Sequence, residues 1–247
     1  MASENAGPAG ADSRAADPRT EELRANLRDV RRRIVTAAEA AGRDPAELTL
    51  IAVTKTFPAV DVERLAALGL TDFGENRDGE AREKAAALPG SRWHFIGQLQ
   101  RNKARSVLSY ARVVHSVDRA ALVTALQKAA EQADRELDVL LQVSLDPDPA
   151  AARGGVSPAG LAELATAVGS SGRLRLRGLM AVPPLGEDPD SAYRRLAEIA
   201  VEFTDRHPTA AMLSAGMSHD LESAIQHGAT HLRIGTALLG GRPAIVR

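Results

Sequence analysis

Residues 48–59 read LTLIAVTKTFPA. An apolar, partly β-branched run from Leu48 to Val53 ends in Thr54-Lys55-Thr56, and Pro58 follows. The run has the length and composition of a buried strand. The lysine at its end needs a reason, because an unpaired ammonium is costly to bury. Such a lysine snorkels, pairs or is chemically employed.

Outward from this strand the chain alternates. Upstream, residues 20–43 (TEELRANLRDVRRRIVTAAEAAGR) read as a helix. Thr20 can cap it, and Leu23, Leu27, Val30, Ile34 and Ala37 or Ala38 form its apolar stripe. Its Arg31–Arg33 run reads as a solvated face. Downstream, VDVERLAALG is a helix stopped by Gly69, DFGEN a strand and RDGEAREKAAAL a helix. The strands WHFIG, RVVHSVD, LDVLLQVSL, LRLRGLMAV, AAMLSAGM and HLRIG follow, separated by helical segments. Eight strands alternating with helices over 247 residues predict a parallel sheet closed as a single (β/α)8 TIM-type barrel. A doubly wound open sheet is the alternative. No G-x-G-x-x-G follows the first strand, which counts against a dinucleotide fold. Residues 1–19 are rich in Ala, Gly, Pro, Asp and Ser and predict a disordered tail. Residues 20–247 then form the barrel with its extra N-terminal helix, and no second domain is expected.

The formal net charge of −1 gives no electrostatic case for nucleic acid. With no cysteine there is no disulfide framework, thiolate zinc site or cysteine nucleophile. His227 and His231 are separated by Gly228 and a strand start, so no metal site is expected. The N-terminus lacks the apolar core of a secretory signal, and no apolar run has membrane-spanning length. A cytoplasmic protein is expected, with a monomer as the default.

Barrels place function at the C-terminal ends of their strands. Polar and glycine-rich residues cluster there: Lys55, Gly74 to Asn76, IGQLQRNK, HSVD, SAGMSHD and RIGT. The last two strand ends often hold phosphate. Ser218 is expected to open a helix, and Gly235-Thr236 open the turn after the last strand. Taken alone, Ser218 reads as an ordinary helix cap and Gly235 as an ordinary turn residue. Arg233 lies between Leu232 and Ile234, so its side chain takes the opposite face from theirs. It either pairs with a carboxylate inside the barrel or presents a fixed cation at the mouth. Asn76 could close an Asx turn, and Glu75 could pair with a barrel cation. Trp93 and His94 read as packing residues. A lysine beside a phosphate site suits Schiff-base chemistry on a phosphorylated carbonyl compound, either a sugar phosphate or pyridoxal phosphate. Arg233 favours the second, whose ring nitrogen needs an Asp or Arg partner.

IAVTKTFP, FGENRDGE, WHFIGQLQRNK, HSVDR, LRGLMAV, GMSHDLESAI and RIGTALLG together resemble the pyridoxal phosphate homeostasis proteins, single-domain relatives of the barrel half of alanine racemase. The likeness runs from about Leu48 to Gly240. It implies that Lys55 holds pyridoxal 5'-phosphate as a Schiff base and that Arg233 lies beside the pyridine nitrogen. Ser218, Gly235 and Thr236 match the phosphate cradle, with Ser214 contributing and Asn76 near the cofactor. Arg77, Ala215 and Arg153 depart from the family pattern, which more often has Tyr, Met and Lys.

An arginine at the ring nitrogen disfavours ring protonation and weakens the ring as an electron sink. The resemblance implies a racemase would need a second base, a Tyr from a separate domain. Tyr110 and Tyr193 are expected in helices away from the strand ends. The expectation is a non-catalytic carrier that buffers or delivers the cofactor, with apo pyridoxal-phosphate enzymes as recipients. A pyridoxal-phosphate-dependent amino-acid racemase and a Schiff-base aldolase on a sugar phosphate are the alternatives.

Overall fold

The computed structural model describes residues 17–146 and 154–241. The strands are β1 (Thr49–Val53), β2 (Asp72–Glu75), β3 (Arg92–Phe95), β4 (Ala111–Val117), β5 (Leu137–Gln142), β6 (Leu174–Met180), β7 (Met212–Ser214) and β8 (His231–Ile234). They pair in sequence order as a closed parallel barrel. Closure is made by β8 on β1, where Thr49 faces His231 and Ala52 faces Ile234. The barrel is therefore the TIM type, and the open-sheet alternative falls.

The helices are α1 (Pro18–Ala40), α2 (Ala59–Ala67), α3 (Asp78–Ala87), α4 (Ala104–Leu108), α5 (Ala120–Gln132), α6 (Leu161–Gly169), α7 (Pro189–Arg206), α8 (Leu221–Gln226) and α9 (Thr236–Leu239). Their apolar faces and the outward strand residues form the main hydrophobic layer. A smaller cluster, Val113, Leu140 and Met180, stands apart from it. Paired residues of parallel strands share a face. The register thus aligns Val53, Gly74, His94 and Val113 across four strands, with Ile51 beside Arg233. Part of the barrel interior is consequently polar: His94, His115, Ser214 and Arg233 are all buried, while Glu75, one residue beyond Gly74, is buried on the opposite face toward the helices.

The first helix starts two residues earlier than its sequence suggests. Asp17, not Thr20, caps it: its carboxylate accepts the Arg19 N–H at 3.3 Å, with Pro18 in the first turn. The Thr20 hydroxyl instead donates to the Asp17 carboxylate. Pro18 and Arg19 therefore belong to the helix and not to a tail. The rest of the expected tail, residues 1–16, lies outside the described residues, as does Arg153.

Buried Leu23, Leu27, Val30, Ile34 and Ala38 seat α1 beside α8 and α9. Polar contacts add direction. Asn26 donates to the Leu238 carbonyl at 3.0 Å, and Arg19 to that of Leu239 at 2.9 Å. Arg33 pairs with Glu222 at 2.7 Å and donates to the Ser218 carbonyl at 3.0 Å. The Arg31–Arg33 run is therefore not merely solvated, since Arg33 ties α1 to the segment after β7. Among the described residues, no helix is long and apolar enough to cross a membrane.

Candidate functional site at the barrel mouth

A cavity of 250 Å³ opens at the C-terminal mouth. Lys55, Ser218, Arg233, Gly235 and Thr236 line it, from three strand ends that lie far apart in sequence. Larger clefts lie outside the barrel, such as the 530 Å³ groove between α1 and α8. They gather no residues from the C-terminal strand ends. Two of the candidate residues stand off the mouth cavity. Ser214 is fully buried behind Arg233, and Asn76 packs against Gly97. A Cβ on Gly97 would come within 2.5 Å of the Asn76 carbonyl oxygen, so this approach requires glycine. The Asn76 Oδ1 is buried with no hydrogen-bond partner.

Lys55 does not lie in the strand. β1 stops at Val53, and Thr54 to Phe57 form a turn closed by Phe57 N–H on the Thr54 carbonyl at 3.1 Å. Lys55 is the second residue of this turn and half-buried. Thr56 is the third and has φ +70°, a left-handed conformation that β-branched residues rarely adopt. Its N–H is held by Glu80 Oε2 at 3.0 Å. Below the turn, the buried Lys84 ammonium bonds the Thr54 carbonyl at 2.8 Å and Glu75 Oε1 at 2.6 Å. The Thr54 hydroxyl donates to the same Glu75 oxygen at 2.6 Å. Glu75 thus pairs with a cation as expected, but the cation comes from α3.

Arg233 is buried, and among the described residues no carboxylate forms an ion pair with it. Its guanidinium donates to Ser214 Oγ at 2.7 Å and to the Ala181 carbonyl at 2.9 Å. Burial pulls its pKa down, opposed by the neighbouring Tyr193 and Asp220. Behind Ser214, His115 Nδ1 lies 2.9 Å from the hydroxyl oxygen, and His115 Nε2 lies 2.9 Å from His94 Nδ1. His94 Nε2 reaches Asp72 Oδ1 at 2.9 Å. Burial holds both imidazoles below their ordinary pKa, His115 far below. His94 is therefore more than a packing residue.

At the remaining side, Ser218 lies in the turn before α8 and does not open the helix. Asp220 occupies the cap position and accepts the Met217 N–H. Ser218 Oγ accepts the Ala237 N–H at 3.0 Å, which leaves its own proton free to donate to a ligand. Gly216 has φ +89°, and a Cβ there would meet that of Ala224 at 2.7 Å. Its N–H donates to the Tyr193 hydroxyl at 3.1 Å. Tyr193 thus reaches the segment after β7 from behind, contrary to the sequence expectation. It is buried, does not line the cavity, and burial raises its pKa. Tyr110 follows α4 in a turn before β4, near the opposite end of the barrel. Val53, Phe57, Ile96, Met217, His219 and Asp220 complete the cavity wall, and nothing in the sequence marks them as site residues. Arg77 points outward to Glu80, and Ala215 is buried, its N–H on the His231 carbonyl.

A primary amine, a guanidinium, two hydroxyls and a glycine turn around one small cavity suit a phosphorylated aldehyde with a ring nitrogen. The fold and this donor set define a barrel of the alanine racemase type: residues 20–243 match the family described as alanine racemase, N-terminal domain. The pyridoxal phosphate homeostasis protein of Mycobacterium tuberculosis is 44% identical over 94% of this chain and 97% of that protein. PipY of Synechococcus elongatus, whose structure was solved with PLP bound, is 34% identical with a TM-score of 0.77, covering 88% of this chain and 100% of that one. Alanine racemase of Clostridium difficile shares the fold at 13% identity and a TM-score of 0.72, and the match covers 61% of that chain. This chain belongs to the pyridoxal phosphate homeostasis protein family.

Proposed function

We propose that this protein binds pyridoxal 5'-phosphate at the barrel mouth through a Lys55 Schiff base and buffers or delivers the cofactor without turning over an amino acid. The observation that carries this reading is the convergence of Lys55, Arg233, Ser218, Gly235 and Thr236 on one cavity. When bound, the cofactor supplies an aldehyde carbon, a phosphate and a pyridine ring. Lys55 Nζ would hold the aldehyde carbon as a Schiff base, with the aldehyde oxygen released as water. The Ser218 hydroxyl and the Gly235-Thr236 turn hold the phosphate. Arg233 would stand beside the ring nitrogen, where its charge would disfavour ring protonation. Ser214 acts through Arg233, and Asn76 flanks the site across Gly97.

Two features favour a carrier over an enzyme. The arginine weakens the ring as an electron sink. Neither Tyr110 nor Tyr193 lines the cavity, so no tyrosine stands ready as a second base. Delivery makes apo pyridoxal-phosphate enzymes in the cytoplasm the recipients, with residues 20–247 as the binding unit.

The test is spectroscopic and chemical. The purified protein, loaded with pyridoxal phosphate, is reduced with borohydride and its labelled peptide is mapped. Label on Lys55, lost in Lys55→Ala, is the expected result. No uptake of the cofactor, with lysine-dependent aldol cleavage of a sugar phosphate, would move the aldolase to the front. Exchange of an amino-acid α-proton in deuterated water at enzymatic rates would establish a racemase.

A further inference from the structure

The cavity wall ends at Arg233, but the polar groups continue behind it. Ser214 ends β7, His115 and His94 lie within β4 and β3, and Asp72 begins β2. The row therefore crosses the barrel from the mouth to the opposite rim, where the Asp72 side chain is 13% exposed. We propose that Asp72, His94, His115 and Ser214 form one oriented row of hydrogen bonds that positions Arg233 and lets protonation inside the barrel weaken its hold on bound pyridoxal phosphate. This rests on the cofactor reading above and assigns regulation to that site.

The orientation follows from the two ends. A guanidinium only donates, so Ser214 Oγ accepts from Arg233, and its hydroxyl proton points to His115 Nδ1. With Nδ1 accepting, a neutral His115 carries its proton on Nε2 and donates to His94 Nδ1. A neutral His94 then carries its proton on Nε2 and donates to Asp72 Oδ1, an acceptor. Every group is satisfied, and only one arrangement of protons does it.

An added proton breaks this arrangement. A charged His115 donates from Nδ1, so Ser214 receives two donors and its own proton loses its acceptor. A charged His94 presents Nδ1–H to His115, which must shift its proton to Nδ1 and again turn it on Ser214. Either way a donor arrives at Ser214 and a second cation lies near Arg233. Protonating Asp72 alone leaves the direction unchanged, because Oδ1 still accepts and the Thr71 hydroxyl already contacts Oδ2. The charged or titratable groups acting on the two imidazoles are Asp72 and Arg92 at the rim, Asp138 on β5, and His231 and Arg233 on β8.

The first test needs no variant and no cofactor. Nitrogen-15 NMR of histidine-labelled protein at pH 8, assigned with His94→Gln and His115→Gln, should show both rings neutral with the proton on Nε2. A proton on Nδ1 of either ring overturns the row. Because burial moves protonation of either imidazole below the ordinary histidine range, the second test titrates pyridoxal phosphate into wild type and variants from pH 8.5 down to pH 4.5, reading affinity and the long-wavelength absorption band. Ser214→Ala should weaken binding about tenfold at pH 8 and flatten the fall of affinity toward acid. Asp72→Leu, which removes the anchoring acceptor, should cost a few-fold, and Asp72→Asn, which keeps an acceptor, should stay within about twofold. Unchanged affinity, band and pH profile in Ser214→Ala would refute the positioning role. If wild type takes up no pyridoxal phosphate, the cofactor reading and the regulatory role fall, and the NMR result still decides whether the row exists.

Discussion

Two corners of this barrel bury a cation, and they do so in opposite ways. Beneath the β1–β2 corner, the Lys84 ammonium meets the Glu75 carboxylate at 2.6 Å. At the β7–β8 corner, the hydrogen-bond acceptors of Arg233 among the described residues are a hydroxyl and a carbonyl. In the first corner the charge is cancelled locally, so its work is structural: it fastens the turn that carries Lys55. In the second, neutral acceptors orient the guanidinium without neutralising it, and its charge remains for a ligand. The same side-chain class is thus a brace in one place and a display in the other.

The largest expected effect breaks the brace. Lys84→Met leaves the Glu75 carboxylate buried without its cation, which should cost about 3–5 kcal/mol. Urea unfolding of the cofactor-free protein measures this. A loss below about 1 kcal/mol would mean that Glu75 and Lys84 are no more than a surface-type pair.

Acid should erode the neutral corner. Burial, then repulsion from His94, lowers the His231 pKa to about 4. An unfolded histidine titrates near 6.5, so below that pH the unfolded chain binds more protons than the native one. Stability should therefore be flat above about pH 7 and fall as pH drops from about 6.5 to about 4, by about 3 kcal/mol for His231 alone. The lowered pKa values of His94 and His115 act with the same sign. Unfolding midpoints at pH 7.5, 6 and 5 test the slope, and His231→Gln should make it shallower.

The contrast is sharpest when the Lys84 substitution is repeated at the other corner. Arg233→Met removes a buried charge that no ion pair cancels, which favours the fold. It also leaves the Ala181 carbonyl without its donor, which opposes it. The net change should stay within about 1 kcal/mol, while pyridoxal phosphate binding is lost. A destabilisation as large as that of Lys84→Met would show that Arg233 is structural and would erase the distinction between the corners.

The sequence discloses one corner better than the other. Lys55, Ser218, Arg233, Gly235 and Thr236 are legible because each sits just past or within an apolar run, where a polar residue has no packing reason to be. The strand order is legible for the same cause: hydrophobic runs alternate with helical periods. Lys84 is not legible, because REKAAAL gives no sign of which face α3 buries. The contact of His94 with His115 depends on the register between β3 and β4, which shifts at Trp93/His94. No local pattern encodes that register. Ser214 and Ser218 differ by four residues, yet one lies behind the guanidinium and the other lines the cavity. The direction of a side chain at a strand end is set by the turn that follows, and the Thr56 and Gly216 conformations that set it are tertiary outcomes.

Thr56 gives the smallest effect and separates the brace from its purpose. An L-residue in the left-handed region costs about 1–2 kcal/mol, and a glycine does not carry that cost. Thr56→Gly keeps the N–H that Glu80 accepts and removes only the side chain, which is exposed. Part of the gain is offset, because glycine loses more backbone freedom on folding. Stability should therefore rise by about 0.5–1 kcal/mol. If the strained turn exists to aim Lys55, that gain should come with a few-fold slower capture of pyridoxal phosphate at Lys55, read as borohydride-trapped label over time. Faster unfolding with unchanged capture would break the link between strain and aim. Slower capture in a more stable protein would show that the Glu75–Lys84 brace holds down a turn the chain would otherwise relax.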